Sequence, residues 1–152
     1  MSKEGSLATE NRTLTEQLVD EYAMQGTEVL VDDQNHILDS DFSVYWVVEE
    51  LVGNCADERS RHPQNKIQVK IKVGQTDKEI QVKVEDNIEY PNTEAAELTR
   101  GLNKKKTPIG EKGRPGGLGV DISKKIATAA KGKLVYTQEG NRIIANFACK
   151  RQ

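Results

Sequence analysis

Between residues 67 and 85 the chain alternates apolar and polar side chains with a period of two. That pattern limits the available architectures more than any other feature. Ile67, Val69, Ile71 and Val73 fall on one side of an extended chain, with Gln68, Lys70 and Lys72 on the other. After the turn sequence GQTDKE, Ile80, Val82 and Val84 repeat the pattern against Gln81, Lys83 and Glu85. Successive strand residues point to opposite faces, so two such runs joined by a turn predict an antiparallel hairpin with one buried and one wet face.

The buried face needs an apolar cover, and helical periodicity flanks the hairpin. From Phe42 to about Arg59, the residues Val44, Val47, Val48, Leu51 and Cys55 form one stripe, which Tyr45 and Trp46 should widen. Ser40 or Asp41 can cap its start. A first helix is expected from Ala8 to Met24, with Leu14, Leu18, Val19 and Tyr22 on one face, Thr13 or Thr15 as cap and Gly26 past its end. TEVLVDD reads as a short strand and DQNHILDSD as a loop. Beyond the hairpin come a short helix from Thr93 to Gly101 and a loop, NKKKTPIGEKGRPGG, of about fifteen residues. A helix from Val120 to Lys131 follows, carrying Ile122, Ile126 and Ala129 or Ala130, and GKLVYT and NRIIANFACK close the chain as a second hairpin. This order predicts an α+β fold, a two-layer sandwich whose mixed, mostly antiparallel sheet is covered by helices on one face. A chain of 152 residues accommodates one such domain, expected at 28–152, with residues 1–27 as an N-terminal extension and helix.

The net charge of −2 gives no bulk electrostatic case for nucleic acid, and the lysines at 104–106 read as a solvated patch. No apolar run approaches the roughly 18 residues of a membrane helix, and the first residues lack the apolar core of a signal peptide. A cytoplasmic protein is therefore expected, with Cys55 and Cys149 as buried free thiols. His36 and His62 are isolated, with no zinc-ligand spacing.

Three segments carry candidate chemistry. Glu50 and Asn54 are four residues apart on the long helix and share one face. One carboxylate and one amide suffice for Mg²⁺, which takes few protein oxygens and completes its shell with waters and phosphates. Asp86 ends the first hairpin, where a carboxylate can accept a hydrogen bond from an exocyclic amine. Gly116, Gly117, Leu118 and Gly119 precede or open a helix whose start is expected near Leu118 or Val120. The free N–H groups of such a terminus suit a phosphate.

In this order, Glu-x-x-x-Asn on a helix, a hairpin ending in Asp, a long loop, Gly-Gly-Leu-Gly opening a helix and a terminal hairpin, the chain resembles the GHKL superfamily. That superfamily holds sensor histidine kinases, anti-sigma factor kinases, gyrase, mismatch-repair and heat-shock chaperone ATPases. The resemblance spans about residues 28 to 149 and implies a Bergerat-type fold binding ATP and Mg²⁺. It implies Asn54 as the Mg²⁺ ligand and Glu50 as the general base, or the group that polarises the attacking one. It implies Asp86 as the adenine-reading residue and Gly117 and Gly119, with Gly116 and Leu118, beside the phosphates. Thr99 to Pro115 corresponds to the ATP lid, where Lys104 to Lys106, Lys112 or Arg114 would meet phosphates.

Two departures stand out. The family's Asp-x-Gly-x-Gly becomes Asp86-Asn87-Ile88-Glu89-Tyr90, with neither glycine, and the Gly-Thr of the terminal hairpin becomes Gly140-Asn141. The resemblance thus implies a stand-alone kinase or switch protein in signal transduction. It would act on a partner of the sigma factor, anti-anti-sigma factor or response regulator type, and a homodimer is compatible with it. The departures favour a second reading, a non-catalytic regulatory module of the same fold.

Overall fold

The computed structural model describes residues 12–57, 66–104 and 116–151, with the backbone alone for 116–120. Helix α1 (Leu14–Met24) leads to strand β1 (Thr27–Asp32), a one-turn helix α2 (Ile37–Ser40) and the long helix α3 (Phe42–Asp57). The hairpin β2 (Ile67–Gln75) and β3 (Glu79–Asp86) follows, then α4 (Asn92–Leu102), α5 (Gly116–Ala129) and the hairpin β4 (Gly132–Glu139) and β5 (Arg142–Lys150).

The five strands form one sheet in the order β1-β2-β3-β5-β4, with β1 parallel to β2 and every other pair antiparallel. The register explains the alternation in the sequence. One cross-strand row runs Val31, Ile71, Val84, Ala145, Tyr136. Its members belong to the apolar core or pack against it, together with Leu18 of α1, Ile37 and Leu38 of α2, Val44, Val47, Val48 and Leu51 of α3, and Ile126 and Ala127 of α5. The α+β two-layer sandwich read from the sequence is the observed fold.

Capping follows local chemistry. Thr13 Oγ1 accepts the Glu16 N–H at 3.1 Å, and Asp41 Oδ1 accepts the Val44 N–H at 3.2 Å. Gly26, at φ 85°, turns the chain from α1 into β1, a conformation that costs glycine little. Thr15 does not cap α1; its N–H and hydroxyl both donate to Asp39 Oδ1 and tie α1 to α2.

Several expectations need correction. DQNHILDSD is not only loop. Asp33 accepts the N–H groups of Ile37 and Leu38, and those two side chains are buried, which holds one helical turn too short to show a period. Trp46 stays 45% exposed and Phe42 64% exposed, their rings tilted against each other, because the buried arc of α3 is complete without them. On α5, Ile122 is exposed, as is Ala129. The inward row is Ser123, Ile126, Ala127 and Ala130. Helix α5 begins at Gly116, before the expected start, and ends at Ala129, since Lys131 takes a positive φ. Thr99 to Leu102 continue α4. Both cysteines are free; Cys149 is buried and Cys55 only half-buried. Residues 8–11 of the expected first helix, Arg59 of the expected long helix, His62, and 105–115 of the expected lid lie outside the described residues.

Two asparagines extend the sheet through their side chains. Asn103, just past α4, donates to the Tyr136 carbonyl and accepts the Tyr136 N–H, both at 2.7 Å, and so occupies part of the exposed edge of β4. Asn87 donates to the Lys66 carbonyl at 2.8 Å and accepts the Gln68 N–H at 3.0 Å, adding a rung beyond the β2–β3 ladder. No helix among the described residues is long and apolar enough to cross a membrane.

Candidate functional site

The last turns of α3 carry Glu50 and Asn54 on one face, beside the apolar stripe. Both are half-buried. Burial, then the neighbouring charges of Glu49 and Asp57, push the Glu50 carboxyl above its ordinary value. A carboxylate with raised proton affinity is a stronger general base. Asn54 Nδ2 donates to Ser123 Oγ at 2.9 Å, joining α3 to α5 across 69 residues of chain. That bond engages the amide nitrogen and turns the Asn54 carbonyl oxygen away from Ser123.

Ser123 is a functional candidate that sequence reasoning missed. It is fully buried, and a hydroxyl there needs a partner. The signal was present in the spacing: Ser123, Ile126, Ala127 and Ala130 fall at i, i+3, i+4 and i+7, which makes Ser123 a polar residue on an inward face.

Gly116, Gly117, Leu118 and Gly119 are the first four residues of α5 rather than a loop before it. The first four N–H groups of a helix have no partner within it, and the helix dipole adds positive potential there. Lys112, Lys105, Lys106 and Arg114 lie outside the described residues. Lys104 is exposed, and its carbonyl accepts the Lys124 ammonium at 2.6 Å. Burial lowers the Lys124 pKa, with Asp121 opposing the shift.

Asp86 terminates a second inward cross-strand row, Val29, Val69, Asp86, so its carboxylate stands on the helix-covered face of the sheet. Its Oδ1 accepts the Ile88 N–H at 2.9 Å. Ile88 and Tyr90 stand where the resemblance places glycines. Ile88 is fully buried within the core, and the Tyr90 N–H donates to the Asn141 carbonyl at 2.8 Å. The two departures from the family pattern are thus bonded to each other.

Topology brings Asn54 and Asp86 to one end of the sandwich. Asp86 ends β3 where β2 begins, and β1 begins beside β2, with Thr27 opposite Ile67. The last turn of α1 leads into that end of β1. The Tyr22 hydroxyl of that turn lies 3.2 Å from where a Cβ on Gly53 would sit, which locates Gly53, and Asn54 after it, at the same end. Burial, followed by Glu21, Glu49, Asp57 and Glu50, raises the Tyr22 phenol to about 12 and keeps it neutral.

Residues 40–150 match the model of the family described as histidine kinase-, DNA gyrase B- and HSP90-like ATPases. The chain belongs to this family. Among solved structures, it is similar to the nucleotide-free catalytic domain of histidine kinase ThkA, at 18% identity and a TM-score of 0.62 over 90% of both chains. The Acinetobacter baumannii histidine kinase AdeS aligns at 16% identity and a TM-score of 0.55, over 90% of this chain and 62% of that one. ThkA in complex with the response regulator protein TrrA aligns at 15% identity and a TM-score of 0.59, over 91% of this chain and 40% of that one. These likenesses speak for the fold. No curated protein matches the chain by sequence.

A magnesium ion at Asn54 would take its other ligands from phosphates and water rather than from a protein cage. Asn54 offers one amide oxygen, and among the described residues no group of three His, Cys, Asp or Glu side chains could hold a metal.

Proposed function

We propose that this chain is an ATP-binding protein of the histidine-kinase-like type that transfers a phosphoryl group to, or switches, a partner protein. The observation carrying this reading is the bond from Asn54 on α3 to Ser123 on α5, the helix that opens with Gly116 to Gly119. It supports a site in which Asn54 holds Mg²⁺ and the backbone N–H groups of the glycine turn hold phosphates; the family resemblance adds the charge of Lys112. Magnesium, when bound, neutralises phosphate charge. Glu50, one turn before Asn54 and raised in proton affinity, orients or deprotonates the acceptor hydroxyl. Asp86 accepts the adenine amine. The partner is a regulatory protein of the sigma factor, anti-anti-sigma factor or response regulator class, the last in keeping with the ThkA–TrrA complex. The cytoplasm is the compartment that supplies ATP to such a site.

A second reading rests on a specific observation. Ile88 is buried where a glycine is expected, and Tyr90 is fastened to Asn141. That supports a non-catalytic module that grips its partner without turnover.

Calorimetry separates the two. The first reading predicts Mg-ATP binding at micromolar affinity that is lost in Asn54→Ala. The absence of any heat with Mg-ATP or Mg-ADP would sink it and leave the second.

A further inference from the structure

We infer that Ser123 is a positioning residue for magnesium-dependent nucleotide binding, acting through Asn54. The inference rests on the reading of Asn54 as the Mg²⁺ ligand. Ser123 is fully buried on the inward row of α5, where Ile126 and Ala127 are apolar. A hydroxyl in that row is costly without a partner and is easily replaced by alanine or valine in a helix built only for packing. Here its oxygen accepts Asn54 Nδ2 at 2.9 Å.

That bond does two things. It ties the Asn54 amide nitrogen to α5, which turns the carbonyl oxygen of the same amide away from Ser123. It also joins the side chain proposed to hold the metal to the helix proposed to hold the phosphates. Ser123 lies one turn after Gly119, so a displacement of α5 carries both the glycine turn and the orientation of Asn54 with it. Metal and phosphate contacts then form as one unit. Partners that orient a metal ligand commonly change metal affinity by about 10- to 100-fold when removed.

The test is a calorimetric titration of ADP with Mg²⁺ and with EDTA, on the full chain and its Ser123→Ala, Asn54→Ala and doubly substituted variants. In wild type, Mg²⁺ strengthens ADP binding. The expected result is that Ser123→Ala reduces this gain about tenfold while binding in EDTA changes less than about twofold. Asn54→Ala should abolish the gain, and the double variant should be no worse than Asn54→Ala alone. If Ser123→Ala fails to fold, Ser123→Cys carries the same test, because a thiol is nearly isosteric and a weak acceptor. A full magnesium gain in the Ser123 variant, with the gain lost in Asn54→Ala, overturns the role of Ser123 alone. A gain that survives Asn54→Ala, or no binding by wild type, overturns the reading of Asn54 and this inference with it.

Discussion

The two ends of the proposed pocket are built in opposite ways. At the phosphate end, Asn54 is aimed by Ser123, a residue on a different helix, and α5 opens with a turn whose N–H groups have no helical partner. At the adenine end, one oxygen of Asp86 is bonded two residues along its own chain, and Ile88 fills the core where the resemblance places a glycine. The first arrangement keeps polar atoms oriented for something outside the protein. The second satisfies them locally and rigidifies the backbone. Affinity in this chain should therefore lean on phosphate and magnesium more than on the base.

Substitutions at the two ends test that contrast. The largest effect is expected at Ile88. Ile88→Gly restores the first of the family's two glycines but removes a buried side chain and loosens the backbone, costing about 4 kcal/mol of stability in urea unfolding. A loss below about 1 kcal/mol would mean that Ile88 does not fill the core. Next comes Asn54→Ala, for which Mg-ATP affinity should fall about 100-fold while affinity in EDTA stays near wild type; equal losses in both would deny it a metal role. Asp86→Asn should reduce the preference for ATP over GTP by about tenfold, read by competition, with affinity for inorganic triphosphate unchanged. An unchanged preference would mean that the adenine end reads nothing.

The smallest effect concerns Glu50. Its folded value is raised, so the native state holds that proton more tightly than the unfolded chain. The stabilisation this gives is fully present below the unfolded value of about 4.3 and is lost as pH rises through the raised native value. Glu50→Gln, which cannot ionise, should therefore have a slightly higher Tm than wild type at neutral pH and show no advantage at pH 3. An advantage that persists at pH 3 would assign the effect to packing instead.

The legible parts of the fold are those where burial stamps a period on the sequence. The two hairpins, α3 and the position of Asp86 at the end of β3 all follow from which faces are apolar. Helix α2 was hidden because a single turn has no period, and its cap, Asp33, looks like any loop aspartate. Trp46 misled because size and aromaticity suggest burial, while a stripe already filled by Val44, Val47, Val48 and Leu51 leaves it outside. Ser123, Asn87 and Asn103 were not read because their roles are hydrogen bonds to distant chain, from 19 to 69 residues away. Such bonds leave no local pattern. Glu50 and Asn54 could be paired from their spacing, but the partner that orients Asn54 came only from the packing of α3 on α5.

The most direct test is an amide NMR titration of the chain with Mg-ATP and, in parallel, with magnesium and inorganic triphosphate. The account predicts that both ligands shift Gly117 and Asn54, and that ATP alone adds a shift at Asp86. Millimolar Mg-ATP that leaves Gly117 and Asn54 unmoved would contradict it.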